Sequence, residues 1–311
     1  MPPNKAKTDQ EREKALKRIL ATEAADMTRT MTGLSFGLMG VFIFLAFLDY
    51  IESVNLPLEP IDYVIFAILG LLGPIGFYMS TKEKRIREIE TRLPDFLRDV
   101  AEAGRFGMTL ADAIVIASAG RYGRLTPEIK KMAAQIEWGV PASEAIRLFS
   151  ERVKTPLVVR MTSIIMKAND AGGNVADVLS MVSHDAKETI LTQEERGVTM
   201  QTYVLVIYIA FFVFIATILI LQGQFLPKME EAGRQVSESA AKMGAENIAG
   251  VNIQVDIIPT ITFIFLLSVV VHAVGDGVLA GVIQKGSIAI GLRHSFIMLV
   301  AGFVMLRIVG G

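Results

Sequence analysis

Three stretches in the middle of the chain decide its fold: Gly107-Met-Thr-Leu-Ala-Asp-Ala-Ile114, Gly139-Val-Pro-Ala-Ser-Glu-Ala-Ile146 and Gly172-Gly-Asn-Val-Ala-Asp-Val-Leu179. In each, an acid follows the glycine by five residues and an aliphatic residue follows it by seven. The glycines lie 32 and 33 residues apart, a period typical of helix-pair units. Glycine can take the left-handed conformation that closes a helix. Thr109, Pro141 and Asn174 suit the start of the helix that follows. Asp112, Glu144 and Asp177 then fall in a first turn, where the helix dipole favours negative charge. These acids are read as structural, not catalytic.

The partner helices carry start signals of their own. Thr126-Pro127 and Thr155-Pro156 each predict an N-cap before proline at the first helical position. Apolar stripes follow at helical spacing: Phe96, Leu97, Val100 and Ala101; Ile129, Met132, Ala133 and Ile136; Met161, Ile164, Ile165 and Ala168. Six amphipathic helices predict a compact all-α bundle, and no strand pattern competes. The last helix is expected to run from about residue 175 through His184 and Glu188 toward an apolar stretch, because no proline occurs between 157 and 226. Gly197 is its expected bend, and the helix would couple bundle and membrane mechanically.

Five apolar stretches surround the bundle: 32–50, 61–80, 201–222, 257–275 and 294–309. A helix of roughly 20 apolar residues crosses the hydrocarbon core; the last stretch is short by that measure. Hydrophobic residues make up 52% of the chain and charged residues 20%, with mean hydropathy +0.46. A soluble globular protein is excluded. Residues 1–30 carry seven Lys/Arg and 81–200 carry eighteen, while 51–60 carries none and 223–256 has three against five acids. Positive charge stays on the cytoplasmic side. The expected layout is therefore a cytoplasmic amphipathic segment (1–31), two spans, a cytoplasmic bundle (81–200), a third span and an external loop (223–256). A fourth span, a cytoplasmic Gly-rich connection (276–293) and a fifth span complete it. No signal peptide is expected, since the first span follows a polar leader and runs into Asp49-Tyr50-Ile51-Glu52 without a small-residue cleavage site. Leu16, Ile19, Leu20, Ala24 and Met27 share one face of the N-terminal segment, suited to the membrane surface or to the bundle.

Little in the sequence points to catalysis. Cysteine is absent, which excludes disulfides, thiolate metal sites and cysteine nucleophiles. The three histidines (His184, His272, His294) are scattered, so no metal or cofactor site is expected. No GxxxxGK[ST] loop or GxSxG elbow occurs, so ATP hydrolysis by this chain and serine chemistry are not expected. The net charge of −1 carries no nucleic-acid signal. Ala273-Val-Gly-Asp276 resembles the GxGD motif of intramembrane aspartyl proteases, with alanine in place of the first glycine. Such chemistry needs a second aspartate at the same depth, whereas Asp49, Asp62 and Asp256 fall toward the outer side and Asp276 toward the inner. His272 and Asp276 are four apart and could pair on one helix face. Gly33-Leu-Ser-Phe-Gly37 favours close helix packing in a membrane. Gly277, Gly281, Gly286 and Gly291 are read as loosening the connection before the last span.

The run Leu93-Pro-Asp-Phe-Leu97, Gly107 with Ala111-Asp-Ala-Ile114, Gly139 with Ser143-Glu-Ala-Ile146, and Ala171-Gly-Gly-Asn-Val-Ala-Asp-Val-Leu179 together resemble the type II secretion system F domain. Gly277-Val-Leu-Ala-Gly281 and Gly291-Leu-Arg-His294 look similar to archaeal members. The resemblance implies a multi-pass, non-enzymatic platform protein of the plasma (inner) membrane. Its relatives serve type II secretion, type IV pilus, tight-adherence pilus and archaellum machines. By the same resemblance, a hexameric secretion-type ATPase acts on the bundle, and pilin-like subunits are inserted into a filament. Type II secretion and bacterial pilus members carry two such domains, and one is found here; that favours the tight-adherence or archaeal type and a dimer with itself or a paralogue. Arg98, Arg105, Arg121, Arg124, Lys130 and Lys131 are the candidate motor contacts, through charge complementarity. The alternative is an ion-driven motor stator or transporter subunit, which also places a helical segment between its second and third spans. A stator would need pore-lining polar groups, and between Tyr203 and Leu221 only Tyr208 and Thr217 qualify.

Overall fold

A computed structural model of the chain describes residues 5–51, 57–242 and 258–309. Its elements are α1 (Lys5–Tyr50), α2 (Pro60–Glu90), α3 (Leu93–Arg105), α4 (Leu110–Ala117), α5 (Thr126–Glu137) and α6 (Ala142–Val153). Then follow α7 (Pro156–Asp170), α8 (Val175–Ile220), α9 (Leu226–Lys242), α10 (Ile258–Lys285) and α11 (Ile288–Val309). No strand occurs among the described residues. The chain divides into two compact units, one of Met1–Ala25 with Thr81–Val198, the other of Asp26–Ser80 with Thr199–Gly311.

The first unit holds the six-helix bundle of α3–α7 and the first half of α8. Its core joins Phe96, Leu97 and Val100 of α3, Ile129 and Met132 of α5, Phe149 of α6, Met161 and Ile165 of α7, and Leu179, Val182 and Ala186 of α8. Phe149 is 1% exposed, and truncating such a ring to alanine costs roughly 3–5 kcal/mol. Two local expectations need correction. The buried stripe of α7 is Val158, Met161, Thr162 and Ile165, while Ile164 is 38% exposed. The polar Thr162 can take an inward position because its hydroxyl donates to the Val158 carbonyl (2.7 Å) and meets Ser150 Oγ (2.9 Å). Thr126 does not cap α5: a 3₁₀ turn over Gly123–Leu125 runs straight into the helix, and Thr126 Oγ1 instead accepts from the Tyr122 N–H at 2.8 Å. Thr155 does cap α7, accepting from the Val158 N–H.

The second unit packs α2, the apolar half of α8, α10 and α11 around Ile65, Leu69, Phe211, Ile215, Val269, Met298 and Leu299. Helix α1 lies antiparallel on α2, with Thr28 near Tyr78 (3.3 Å) at one end and Phe42 against Phe66 (5.7 Å between rings) farther along. Among the described residues, five helical stretches are long and apolar enough to cross a membrane: Met27–Tyr50, Pro60–Arg105, Val175–Val236, Ile258–Lys285 and Ile288–Arg307. The last span is thus no longer short, because α11 has 22 residues and rises about 33 Å. Phe36, Phe44, Leu205 and Val213 are more than half exposed, as side chains facing hydrocarbon are.

The expected connection over 276–293 is mostly helix. Helix α10 continues to Lys285, α11 starts at Ile288, and Gly286 alone takes positive φ (67°) to turn the chain. The other glycines do the opposite of loosening. A Cβ on Gly277 would lie 2.2 Å from the Ser295 nitrogen, and one on Gly281 would lie 2.1 Å from the Gly291 nitrogen. Backbone approaches backbone there, as small residues allow between membrane helices. A Cβ on Gly33 or Gly37, expected to serve that purpose, would meet no atom within 4 Å among the described residues. The first part of the expected external loop is helical: a π turn, Leu221–Phe225, leads from α8 into α9. Residues 243–257, with Asp256, lie outside the described residues, as do Glu52 and the side chains of Leu16, Ile19, Leu20 and Ala24.

Gly281→Leu is expected to break the α10–α11 contact and lower the thermal midpoint of the detergent-solubilised protein sharply. Gly37→Leu should leave that midpoint within a degree or two, since its Cβ meets open space.

Candidate functional site

Long-range contacts orient the bundle. Ser183 Oγ donates to the Pro94 carbonyl (2.9 Å), while Gly104 lies against Ala176, so α8 runs antiparallel to α3. The Leu157 N–H donates to Glu90 Oε1 (2.9 Å), Arg152 Nε donates to Glu128 Oε2 (2.8 Å), and Arg124 pairs with Glu88. Arg87 pairs with Glu194 at 3.4 Å. One end of the bundle therefore gathers the starts of α3, α5 and α7, the end of α6, and both points where the chain enters and leaves. The opposite end is made of the three repeat turns.

At those turns Gly107, Gly139 and Gly172 have φ of 84°, 87° and 68°. Thr109 Oγ1 accepts from the Asp112 N–H at 3.2 Å and donates to Asp112 Oδ2 at 2.6 Å. Asn174 does the equivalent, with Oδ1 accepting from the Ala176 and Asp177 amides and Nδ2 donating to Asp177 Oδ2 (2.6 Å). Glu144 is held instead by a bidentate Arg147, at 2.6 and 2.8 Å. All three acids are engaged locally near a helix start.

The six basic candidates do not form one patch. Arg121, Arg124, Lys130 and Lys131 gather around the start of α5, at the entry end. Arg98 lies midway along α3, and Arg105 ends α3 at the opposite end. Arg98 is shared between Asp99 (3.9 Å) and Glu102 (3.8 Å), Arg124 holds Glu88, and Lys131 holds Glu128 (2.8 Å). Arg105, Arg121 and Lys130 make no ion pair among the described residues, and all three are exposed. Exposed pairs of this kind are each worth about 0–1 kcal/mol, so their charges stay available to a partner.

Several structural groups could not be paired from sequence. Burial opposes the charge on Glu128, but Lys131 and Arg152 outweigh it and hold the carboxyl below its ordinary value of 4.5. Burial, then the Asp99 carboxylate that accepts its proton at 2.6 Å, push the Tyr122 phenol well above its usual range. Its hydroxyl also reaches the Ala117 carbonyl (2.9 Å), tying α4 to α3.

The second unit holds polar groups inside apolar helices. Asp62, fully buried near the start of α2, pairs with Arg307 of α11, which also reaches Glu59 (3.3 Å). At the other end of the same two helices, Arg293 Nη1 donates to Ser80 Oγ at 2.6 Å. Tyr208 of α8 meets His294 Nδ1 at 2.9 Å, and His294 Nε2 lies 3.3 Å from Gln284 Oε1. His272 and Asp276 do pair, at 3.5 Å, with the imidazole 4.1 Å from the Phe214 ring. Asp276 sits beside the Gly277–Ser295 crossing, at the Arg293 end of α11, whereas Asp62 sits at the Arg307 end. The two carboxylates cannot form a dyad. Among the described residues, no three His, Asp or Glu side chains converge as a metal site. The signal for Asp62 and Arg307 was present, as opposite charges in two apolar runs.

Residues 96–223, from α3 through the π turn, match the family model described as Type II secretion system (T2SS), protein F. The chain is 28% identical over 223 residues to an uncharacterized protein of Methanocaldococcus jannaschii, covering 71% of this chain and 34% of that relative. It is 22% identical over 134 residues to flagella accessory protein J of the same organism, covering 43% of this chain and 24% of that protein. The matched stretch therefore spans about a third of the first relative's length and about a quarter of the second's. No solved structure matches. The stretch similar to this F domain thus lies in a chain whose described residues include five helices long and apolar enough to cross a membrane, and both relatives are archaeal.

Two outcomes follow. The stability difference between wild type and Glu128→Gln should be constant near neutral pH. It should shrink as pH falls below about 4.5 and through the depressed carboxyl value, because protonation removes what the charged Glu128 contributes. Chemical denaturation at stepped pH measures it. Arg307→Met should destabilise by roughly 3 kcal/mol, since it leaves a buried carboxylate unpaired, and adding Asp62→Asn should restore much of the loss.

Proposed function

We propose that this chain is the membrane platform of a type IV pilus-like or archaellum-like assembly machine. A cytoplasmic hexameric secretion-type ATPase acts on the bundle, and the platform passes that motion to pilin-like subunits entering a filament. The observation that carries the reading is the F-domain match over 96–223 coinciding with α8, one uninterrupted helix from Val175 to Ile220. An unbroken helix is stiff, so displacement applied to its bundle half reaches its apolar half. Helix α2 continues across the unit boundary in the same way. The archaeal flagella accessory relative supports the filament class.

In this reading the N-terminal segment (1–31) and residues 81–200 are cytoplasmic, 51–60 and 223–256 are external, and the protein works as a dimer with itself or a paralogue. It acts mechanically, without catalysis of its own. The motor contact draws on Arg121, Arg124, Lys130 and Lys131 at the entry end of the bundle; Arg98, midway along α3, and Arg105, at the opposite end, lie off that cluster.

Affinity purification of the tagged full-length protein from its native membrane, with mass spectrometry of partners, tests the reading. A secretion-type ATPase and pilin-like subunits are expected; an ion-channel or cell-wall-anchored partner would replace it with a stator. Reversing Lys130 and Lys131 to glutamate should weaken motor recovery while leaving membrane insertion intact. Unchanged recovery removes that contact.

A further inference from the structure

The end of the bundle made by the repeat turns carries a feature the platform reading does not use. Phe106 and Trp138 each sit directly before a positive-φ glycine, Gly107 and Gly139, and are 85% and 89% exposed. No other large hydrophobic side chain described in the molecule is as exposed, and Trp138 is the chain's one tryptophan. The side chains exposed on the apolar helices have hydrocarbon as their solvent; these two belong to the polar bundle. Both are C-caps, of α3 and α5, helices that run in the same direction from the entry end. The third turn has Ala171 at the matching place, so the repeat itself does not demand an aromatic there.

The surrounding charge is negative. Asp112, Glu137, Asp170 and Asp177 are exposed at this end, against Arg105 and Lys167. Asp112 and Asp177 are engaged by Thr109 and Asn174, but Glu137 and Asp170 have no partner among the described residues. An anionic bilayer surface or a nucleic acid would be repelled. A protein surface with an apolar socket rimmed by lysine and arginine would be attracted and held in register. Exposed aromatics of this type are also those that dominate binding energy when buried at an interface.

We propose that this end of the bundle docks a soluble protein partner, with Phe106 and Trp138 entering an apolar socket whose basic rim meets Glu137 and Asp170. This is a surface separate from the basic cluster around the start of α5, and it stands whatever the apolar unit does.

The test uses the full-length chain in its native membrane, with the photocrosslinker p-benzoylphenylalanine at position 106. The expected product joins position 106 to one soluble protein, at a peptide where Lys or Arg flanks apolar residues. Trp138→Ser should lower its yield about tenfold, and Glu137→Lys with Asp170→Lys should do the same. The same probe at position 121 should not trap that protein. All four side chains are exposed, so these variants leave the bundle core untouched. Crosslinks only to lipid, only to a second copy of this chain, or to nothing overturn the proposal. So does a yield that ignores both the tryptophan and the charge reversals.

Discussion

Helix α8 has to serve two solvents along one unbroken run of backbone hydrogen bonds. In hydrocarbon an unpaired amide costs several kcal/mol, so the apolar half cannot be anything but helix. That requirement propagates back into the bundle half. There Leu179, Val182, Ala186 and Ile190 keep helical spacing against the bundle core, and farther along Phe211, Ile215 and Ile218 keep it against the apolar core. Between the two sets, residues 192–202 are mainly polar and exposed, and Glu194 is tied to Arg87. Gly197 does not interrupt the helix, because a glycine flanked by good helix formers costs only about 1 kcal/mol.

Fold class and element order were legible in the sequence because both rest on local chemistry. Positive-φ glycines, N-caps and 3.6-residue periodicity act over a few residues, and so they announced the repeat turns and most of the bundle helices. The failures share a different cause. Thr162 points inward because Ser150, twelve residues away, completes its hydrogen bonding, whereas hydropathy favoured Ile164. Glu90 satisfies an amide of α7 from 67 residues away. Neither pairing leaves a local trace.

The glycines give the same lesson within the apolar unit. Gly33-x-x-x-Gly37 and Gly277-x-x-x-Gly281 are the same pattern, yet among the described residues the second alone is closed against another helix. Spacing marks a helix face as approachable without saying what approaches it. The basic residues are similar. Their number was plain, but their division between the entry end and the turn end depends on how six helices stack.

The two-residue turn at Gly286-Ser287 has a consequence for biogenesis. Helices α10 and α11 are joined so tightly, and touch so closely at Gly281 and Gly291, that they are suited to enter lipid together. Some polar groups are matched inside the pair, since the Ser295 hydroxyl finds the Val274 carbonyl at 2.9 Å and His294 faces Gln284, whereas Arg293 and Arg307 find their partners on α2. A pair assembled in this way presents the translocation machinery with a less polar object than either helix alone.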